Sequence, residues 1–227
     1  MKNIMRLLTI TLFVLLLVSS AYAAPGIGAI LEGMFTVKEE PTFTASKELT
    51  KKLINQSVTV LTIKKGSCSG TVIYEDERNH YVLTAKHCIA VSEEMYVEHE
   101  KVLYIISSVD EDLAILVVDG KITGKKVAKL SKWKAYRGET VYHIGNPLEV
   151  LYKSSGKVVR DSDDWQYYSF KVIGGCSGGG IFNEDAELVA VVWGGYLRAK
   201  DKEPRKSVGE PLHDIESFLR LVLPEAL

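Results

Sequence analysis

Cysteine is scarce in this chain: three occur in 227 residues. That is too few for a disulfide-built scaffold, and one thiol is left over if two pair. Neither sign of charge dominates. With 28 Lys and Arg against 29 Asp and Glu, the formal net charge is -1. The basic footprint of a nucleic-acid binder is therefore missing, and nucleic acid is not an expected partner. Only one long apolar run occurs, which excludes a multi-pass membrane protein. There is no internal repeat, and helical patterns do not alternate with strands, so a parallel α/β sheet is not expected. None of the five histidines pairs with a second ligand at metal-site spacing. Neither a metal nor an organic cofactor is expected.

What is present is the composition of an ordinary globular protein, 46% hydrophobic and 25% charged, and not that of a disordered or collagen-like chain. The single apolar run lies at the start. Lys2 and Arg6 precede an apolar stretch from Leu7 to Val18, and Ala21 and Ala23 follow as small residues at cleavage-site positions. This is the pattern of a secretory signal over residues 1–23. At about a dozen residues the run is short of the roughly 20 that a membrane span needs. The mature chain is expected to be secreted or periplasmic, without a stable membrane anchor, in a compartment where disulfides form.

Residues 24–45 lack a clear period and read as an N-terminal arm or propeptide. Ser46 to Gln56 reads as a short amphipathic helix with Leu49, Leu53 and Ile54 on one side. The chain then changes character. Short β-branched or aromatic runs cover Val58–Ile63, Thr71–Tyr74, Tyr81–Thr84, Met95–Val97, Val102–Ile106 and Leu113–Val118. A second set covers Thr140–Ile144, Val150–Tyr152, Lys157–Val159, Gln166–Val172, Gly180–Phe182 and Leu188–Trp193. Many short strands at close spacing predict an all-β fold of antiparallel sheets. Two sets of six predict two barrels, about 57–120 and 138–197, joined across Gly120–Arg137. Near the end, Leu212, Ile215, Phe218, Leu219 and Val222 recur at helical spacing, predicting a helix over 211–222 packed on a barrel.

Three local patterns carry chemistry. Tyr81-Val82-Leu83-Thr84-Ala85-Lys86-His87-Cys88 runs a strand into a histidine. Asp112 opens the apolar strand Leu113-Ala114-Ile115-Leu116. Ser177 sits in the glycine-rich run Gly174-Gly175-Cys176-Ser177-Gly178-Gly179-Gly180. A serine hydroxyl attacks poorly until an imidazole takes its proton, and a carboxylate on the other ring nitrogen holds the tautomer and stabilises the imidazolium. Glycines beside the serine let backbone N–H groups face a developing oxyanion. Singly, each pattern is equally at home as a structural histidine, a solvated strand-edge acid or a flexible turn. Together, in the order His87, Asp112, Ser177, they supply the parts of a hydrolase.

These blocks resemble those of the trypsin-like, chymotrypsin-fold serine proteases, and among them the secreted bacterial HtrA type. Thr84-Ala85-Lys86-His87-Cys88 is similar to the family's TAAHC block, Asp112-Leu113-Ala114-Ile115-Leu116 to its DLALL block, and Gly175-Cys176-Ser177-Gly178-Gly179 to its G-x-S-G-G block. Ile144-Gly145-Asn146-Pro147-Leu148 resembles the IGNPLG turn, and Val192-Trp193-Gly194-Gly195 the S-W-G segment of the substrate pocket. The resemblance implies two six-stranded barrels in one protease domain over 46–227, acting on protein or peptide substrates. It implies Ser177 as nucleophile, His87 as general base and acid, Asp112 as orienting carboxylate, and the N–H groups of Gly175 and Ser177 as oxyanion hole. It also implies a Cys68–Cys88 disulfide, and Lys171, Trp193 and Gly194 at the substrate pocket.

The departures matter too. Cys176 stands where the zymogen-activated branch carries an ion-pairing aspartate, so activity without an inserted N-terminus is expected. Cys176 is either a small buried residue or a redox-sensitive thiol. Lys171 stands near where the trypsin branch has its pocket-floor aspartate. Strict cleavage after Arg or Lys is therefore not expected, and a lysine facing the pocket would favour acidic side chains. A PDZ domain like that of full HtrA proteins is not expected after Trp193. Three other readings compete: an α/β-hydrolase elbow at Ser177, a cysteine nucleophile at Cys176, and a non-catalytic secreted binding protein of the same fold.

Overall fold

The computed structural model describes residues 43–62, 66–90, 94–162, 164–196 and 206–227. The signal segment and residues 24–42 of the arm lie outside the described residues. Ser46 caps helix α1 (Lys47–Gln56), its hydroxyl accepting the Leu49 N–H at 3.1 Å, as a serine N-cap does. Leu49 and Leu53 are the buried residues of α1.

Six strands then close on themselves: β1 (Ser57–Thr62), β2 (Gly66–Glu75), β3 (His80–Ala85), β4 (Met95–Val97), β5 (Glu100–Ser107) and β6 (Leu113–Val118). Their order around the barrel is β1-β2-β3-β6-β5-β4, with every pairing antiparallel. A second closed antiparallel barrel runs β10-β11-β12-β9-β8-β7. It is built from β7 (Thr140–Gly145), β8 (Tyr152–Asp161), β9 (Gln166–Tyr168), β10 (Gly180–Phe182), β11 (Leu188–Tyr196) and β12 (Lys206–Pro211). Helix α2 (Leu212–Val222) follows directly. The expected all-β class with two six-stranded barrels and two flanking helices is the architecture found.

The two-residue period of a strand explains how the barrels meet. Every residue of β6 is buried. Ala114, Leu116 and Val118 pack inside the first barrel with Val58, Val72 and Val82. Their alternates Leu113, Ile115 and Val117 point the other way and pack with Tyr142, Ile144, Phe182 and Val191 of the second barrel. Ile215, Phe218 and Leu219 of α2 and Leu53 of α1 join that same cluster. The expected apolar face of the last helix is thus its packed face, and both helices help seal the seam between barrels.

Two features of the second barrel differ from the sequence reading. Tyr152, the last residue of the run at Val150–Tyr152, and the run at Lys157–Val159 lie on one strand, β8. The intervening Ser154, Ser155 and Gly156 look like turn material, yet they pair with His143, Tyr142 and Val141. Gly156 is needed there for close approach, since a Cβ would lie 2.6 Å from Ser169 Oγ and 2.8 Å from the Phe170 nitrogen. The second feature is β12, absent from the sequence reading because Ser207, Gly209 and Pro211 mask its alternation. Gly209 packs so close to β11 that a Cβ would lie 2.6 Å from the Val191 carbonyl oxygen.

Candidate active site

His87 and Asp112 are brought together by β3 and β6, which pair Ala85 with Leu113. Just beyond that register the chain makes a short 3-10 turn over Lys86–Cys88. The Lys86 N–H donates to the Asp112 carbonyl at 3.0 Å. The His87 N–H donates to Asp112 Oδ1 at 2.8 Å, and the His87 Nδ1 lies 2.5 Å from Asp112 Oδ2. One carboxylate therefore holds both the backbone and the ring of His87, which fixes the ring orientation and assigns Nδ1 as the protonated nitrogen. Before β6, the Ser108 N–H donates to the Leu113 carbonyl at 2.9 Å and the Ser108 hydroxyl bonds Glu111. That turn delivers Asp112 to the strand mouth.

Ser177 arrives from the second barrel. The Cys176 N–H is bonded to the Ile173 carbonyl at 3.1 Å, making the turn that precedes the serine. Gly175 takes φ +92° and Gly178 φ +81°, backbone that suits glycine. At Gly178 a Cβ would also overlap Thr84 Oγ1 and the Ser69 carbonyl. The turn is then tied to the first barrel: the Ser69 N–H donates to the Ser177 carbonyl at 2.9 Å, and Ser69 Oγ donates to the Gly175 carbonyl at 2.8 Å. Ser69 Oγ also accepts the Asn146 N–H at 2.9 Å. Ser69 is a site residue that the sequence reading missed. Its signal was available, in the small-residue run Cys68-Ser69-Gly70 facing the nucleophile turn.

The Ser177 hydroxyl donates to the Trp193 carbonyl at 3.0 Å. A hydroxyl has one proton, so in this arrangement it is not directed at His87. Trp193 owes its position to a bulge: the β11–β12 register shifts between Val192 and Gly194. Such a bulge re-aims a side chain near a site. The Trp193 ring is partly exposed, 6.1 Å from the His87 ring and 5.6 Å from that of Trp165.

Two cavities flank this centre. One, of about 440 Å3, is lined by His87 and Ser177 with Ser67, Val60, Thr62 and the Cys68–Cys88 bridge. The other, of about 400 Å3, is strongly acidic. Asp110, Glu111, Asp112, Asp164, Glu210 and Asp214 line it with Trp165 and Trp193. Burial, then the neighbouring charge of Asp214, pushes the Glu210 carboxyl up to about 7. Trp193 lines this acidic cavity, and Gly194 has open space where a Cβ would stand. Lys171 lines neither of these two cavities; its backbone carbonyl accepts the Tyr152 hydroxyl at 3.1 Å. Cys176 is fully buried among the second barrel's core residues, and burial pushes its thiol up to about 11. A buried, protonated thiol is a poor nucleophile, which weighs against the cysteine-nucleophile reading. Among the described residues, no group of three or more His, Cys, Asp or Glu is arranged to hold a metal.

A family model of the trypsin-like peptidase domain matches residues 68–191, more than half of the chain. The chain belongs to that family. The match spans Cys68, His87, Asp112 and Ser177, while Trp193 and Glu210 lie beyond it. Solved structures of peptidases share the fold. The Rv3671c protease in an inactive form has 17% identity and a TM-score of 0.66, over 81% of this chain and 98% of that one. A Ser-to-Ala mutant of Rv3671c from Mycobacterium tuberculosis, also an inactive form, has 17% identity and a TM-score of 0.64, over 77% and 89%. A serine endoprotease from Yersinia pestis has 21% identity and a TM-score of 0.62, over 76% and 66%. No curated protein sequence matches the chain significantly. The Cys68–Cys88 disulfide of this peptidase domain joins β2 to the turn bearing His87, with the Cα atoms 6.1 Å apart. Among the described residues no helix is long and apolar enough to cross a membrane.

Proposed function

We propose that this peptidase is a secreted or periplasmic serine endopeptidase whose catalytic domain spans residues 46–227 and whose triad is His87, Asp112 and Ser177. The observation that carries the reading is the doubly bonded His87–Asp112 pair, whose His87 lines one cavity with Ser177. In the reaction, the Ser177 hydroxyl leaves the Trp193 carbonyl for the free ring nitrogen of His87. Its oxygen attacks the scissile carbonyl as its proton passes to His87. Asp112 stabilises the imidazolium, and the N–H groups of Gly175 and Ser177 receive the oxyanion. His87 then protonates the leaving amine, and water hydrolyses the acyl-enzyme by the same base. Protein or peptide substrates run past Trp193 and Gly194. The signal pattern at 1–23 and the disulfide support export to an oxidising compartment.

A second reading has its own observation. The Ser177 hydroxyl is engaged by the Trp193 carbonyl, as suits a non-catalytic binding protein of the same fold. Hydrolysis of a peptide library separates the two. The wild type is expected to cleave, Ser177→Ala to lose cleavage by at least about a thousandfold, and the wild-type rate to fall on acidification as His87 takes up a proton. Absence of cleavage by the wild type supports the binding protein, and a rate flat from about pH 8 to about pH 5 contradicts His87 as base.

A further inference from the structure

The triad has a carboxyl behind it that the proposed chemistry does not use. Glu210 stands on β12, opposite Val191 of β11, at 4% exposure. A glutamate is rarely buried so deeply without a purpose or a partner. Its Oε1 accepts the N–H of Asp112 at 3.4 Å, so Asp112 is gripped from both sides, by His87 in front and Glu210 behind. The Glu210 carboxyl also shares a hydrogen bond with the Asp214 side chain on α2.

We infer that Glu210 is a positioning residue for the catalytic pair: it fixes the backbone of Asp112 and, when ionised, places a second negative charge behind the imidazolium of His87. The inference rests on the serine peptidase reading of this site. Its physical basis is the surroundings of the carboxyl. The cavity that Glu210 lines is also lined by Asp110, Glu111 and Asp112 from the turn before β6, by Asp214 from α2, and by Asp164 from the segment between β8 and β9. On β11 the neighbours are the uncharged Val191 and Trp193. No Lys or Arg is among the described residues lining this cleft, and His213 lies 3.2 Å from Asp214 Oδ1.

In a site of that sign the neutral carboxyl is favoured, and burial with the charges of Asp214 and Asp112 holds Glu210 near 7. Below that pH the group still accepts the Asp112 N–H but adds no charge. Above it, the carboxylate accepts the same N–H more strongly, because charge-assisted hydrogen bonds are the stronger ones. It then also stabilises the positive charge that His87 acquires in the transition state. Activity is therefore expected to keep rising as Glu210 ionises near 7.

The test is kcat and KM between pH 5 and pH 9 on a peptide that the wild type cleaves, for Glu210→Gln and Asp214→Asn beside the wild type. Glutamine keeps the acceptor and removes the charge. Glu210→Gln is expected to match the wild type within twofold at pH 5.5 and to fall on the order of tenfold in kcat at pH 8.5, with KM within twofold. Asp214→Asn removes one repelling charge, so the upper rise in kcat moves to lower pH. Circular dichroism at both pH values verifies that each variant is folded. A merely structural Glu210 would give a loss independent of pH. A folded Glu210→Gln with a profile superimposable on that of an active wild type overturns this inference alone, as does a loss confined to KM. A wild type that cleaves no peptide overturns the peptidase reading and this inference with it.

Discussion

Glu210 and His143 are both buried carriers of a titratable group, and they bias stability in opposite directions with pH. His143 is fully buried, stacked on Phe170 with its Nδ1 2.9 Å from the Gly180 carbonyl, and burial lowers it from 6.5 to about 4. The unfolded chain binds its proton more readily, so His143 costs stability as pH falls through that interval. Glu210 is raised from 4.5 to about 7. Here the folded state holds the proton more tightly, so stability is lost as pH rises through that interval. The two effects offset each other in the wild type. Glu210→Gln removes one of them. From pH 5 to pH 8 the variant is expected to gain on the wild type by up to roughly 3 kcal/mol, read from urea unfolding at each pH. An equal difference at both pH values would mean that Glu210 is not held neutral in the fold. At this scale the catalytic candidates were legible in the sequence, because His87, Asp112 and Ser177 each carry their context within a few neighbouring residues. Glu210 was not. Its importance comes from contacts with Asp112 and Asp214, nearly a hundred residues away in the first case, and local sequence carries no trace of such a contact.

Among the elements, the strands of the first barrel were read closely because alternation and β-branching coincide along them. The second barrel is less legible. Ser154-Ser155-Gly156 has the composition of a turn although it lies inside β8, and the small residues of β12 serve close packing rather than hydrophobic patterning. The disulfide tests the element that bears His87. It closes a separation of 20 residues between Cys68 and Cys88, worth about 3 kcal/mol by loop entropy. Replacing both cysteines by alanine is expected to lower unfolding stability by about that amount and to make it indifferent to reductant. Reduction of the wild type should produce the same loss. An unchanged urea midpoint after verified reduction would show that the bridge does not hold this turn.

For the molecule as a whole, the decisive property is that each barrel contributes part of one site. β6 is buried on both of its faces because it belongs to the first barrel's interior and to the seam between barrels. Across that seam, sealed by Phe218 and Leu219, Ser177 lines one cavity with His87, whose ring and backbone Asp112 holds. The flanks differ in character: a largely uncharged cavity beside the disulfide, and an acidic one beside Trp193. The near-neutral composition of the chain gives no hint of that local concentration of carboxylates, since a net charge averages over the surface. The claim on which the account depends is that Ser177 is the nucleophile of an activated triad. It is tested most directly by reaction with a fluorophosphonate and peptide mapping of the adduct. One phosphonyl group on Ser177 is predicted for the wild type and for Cys176→Ala, and none for Ser177→Ala. An adduct on Cys176, or a folded wild type that takes up no label, would contradict the account.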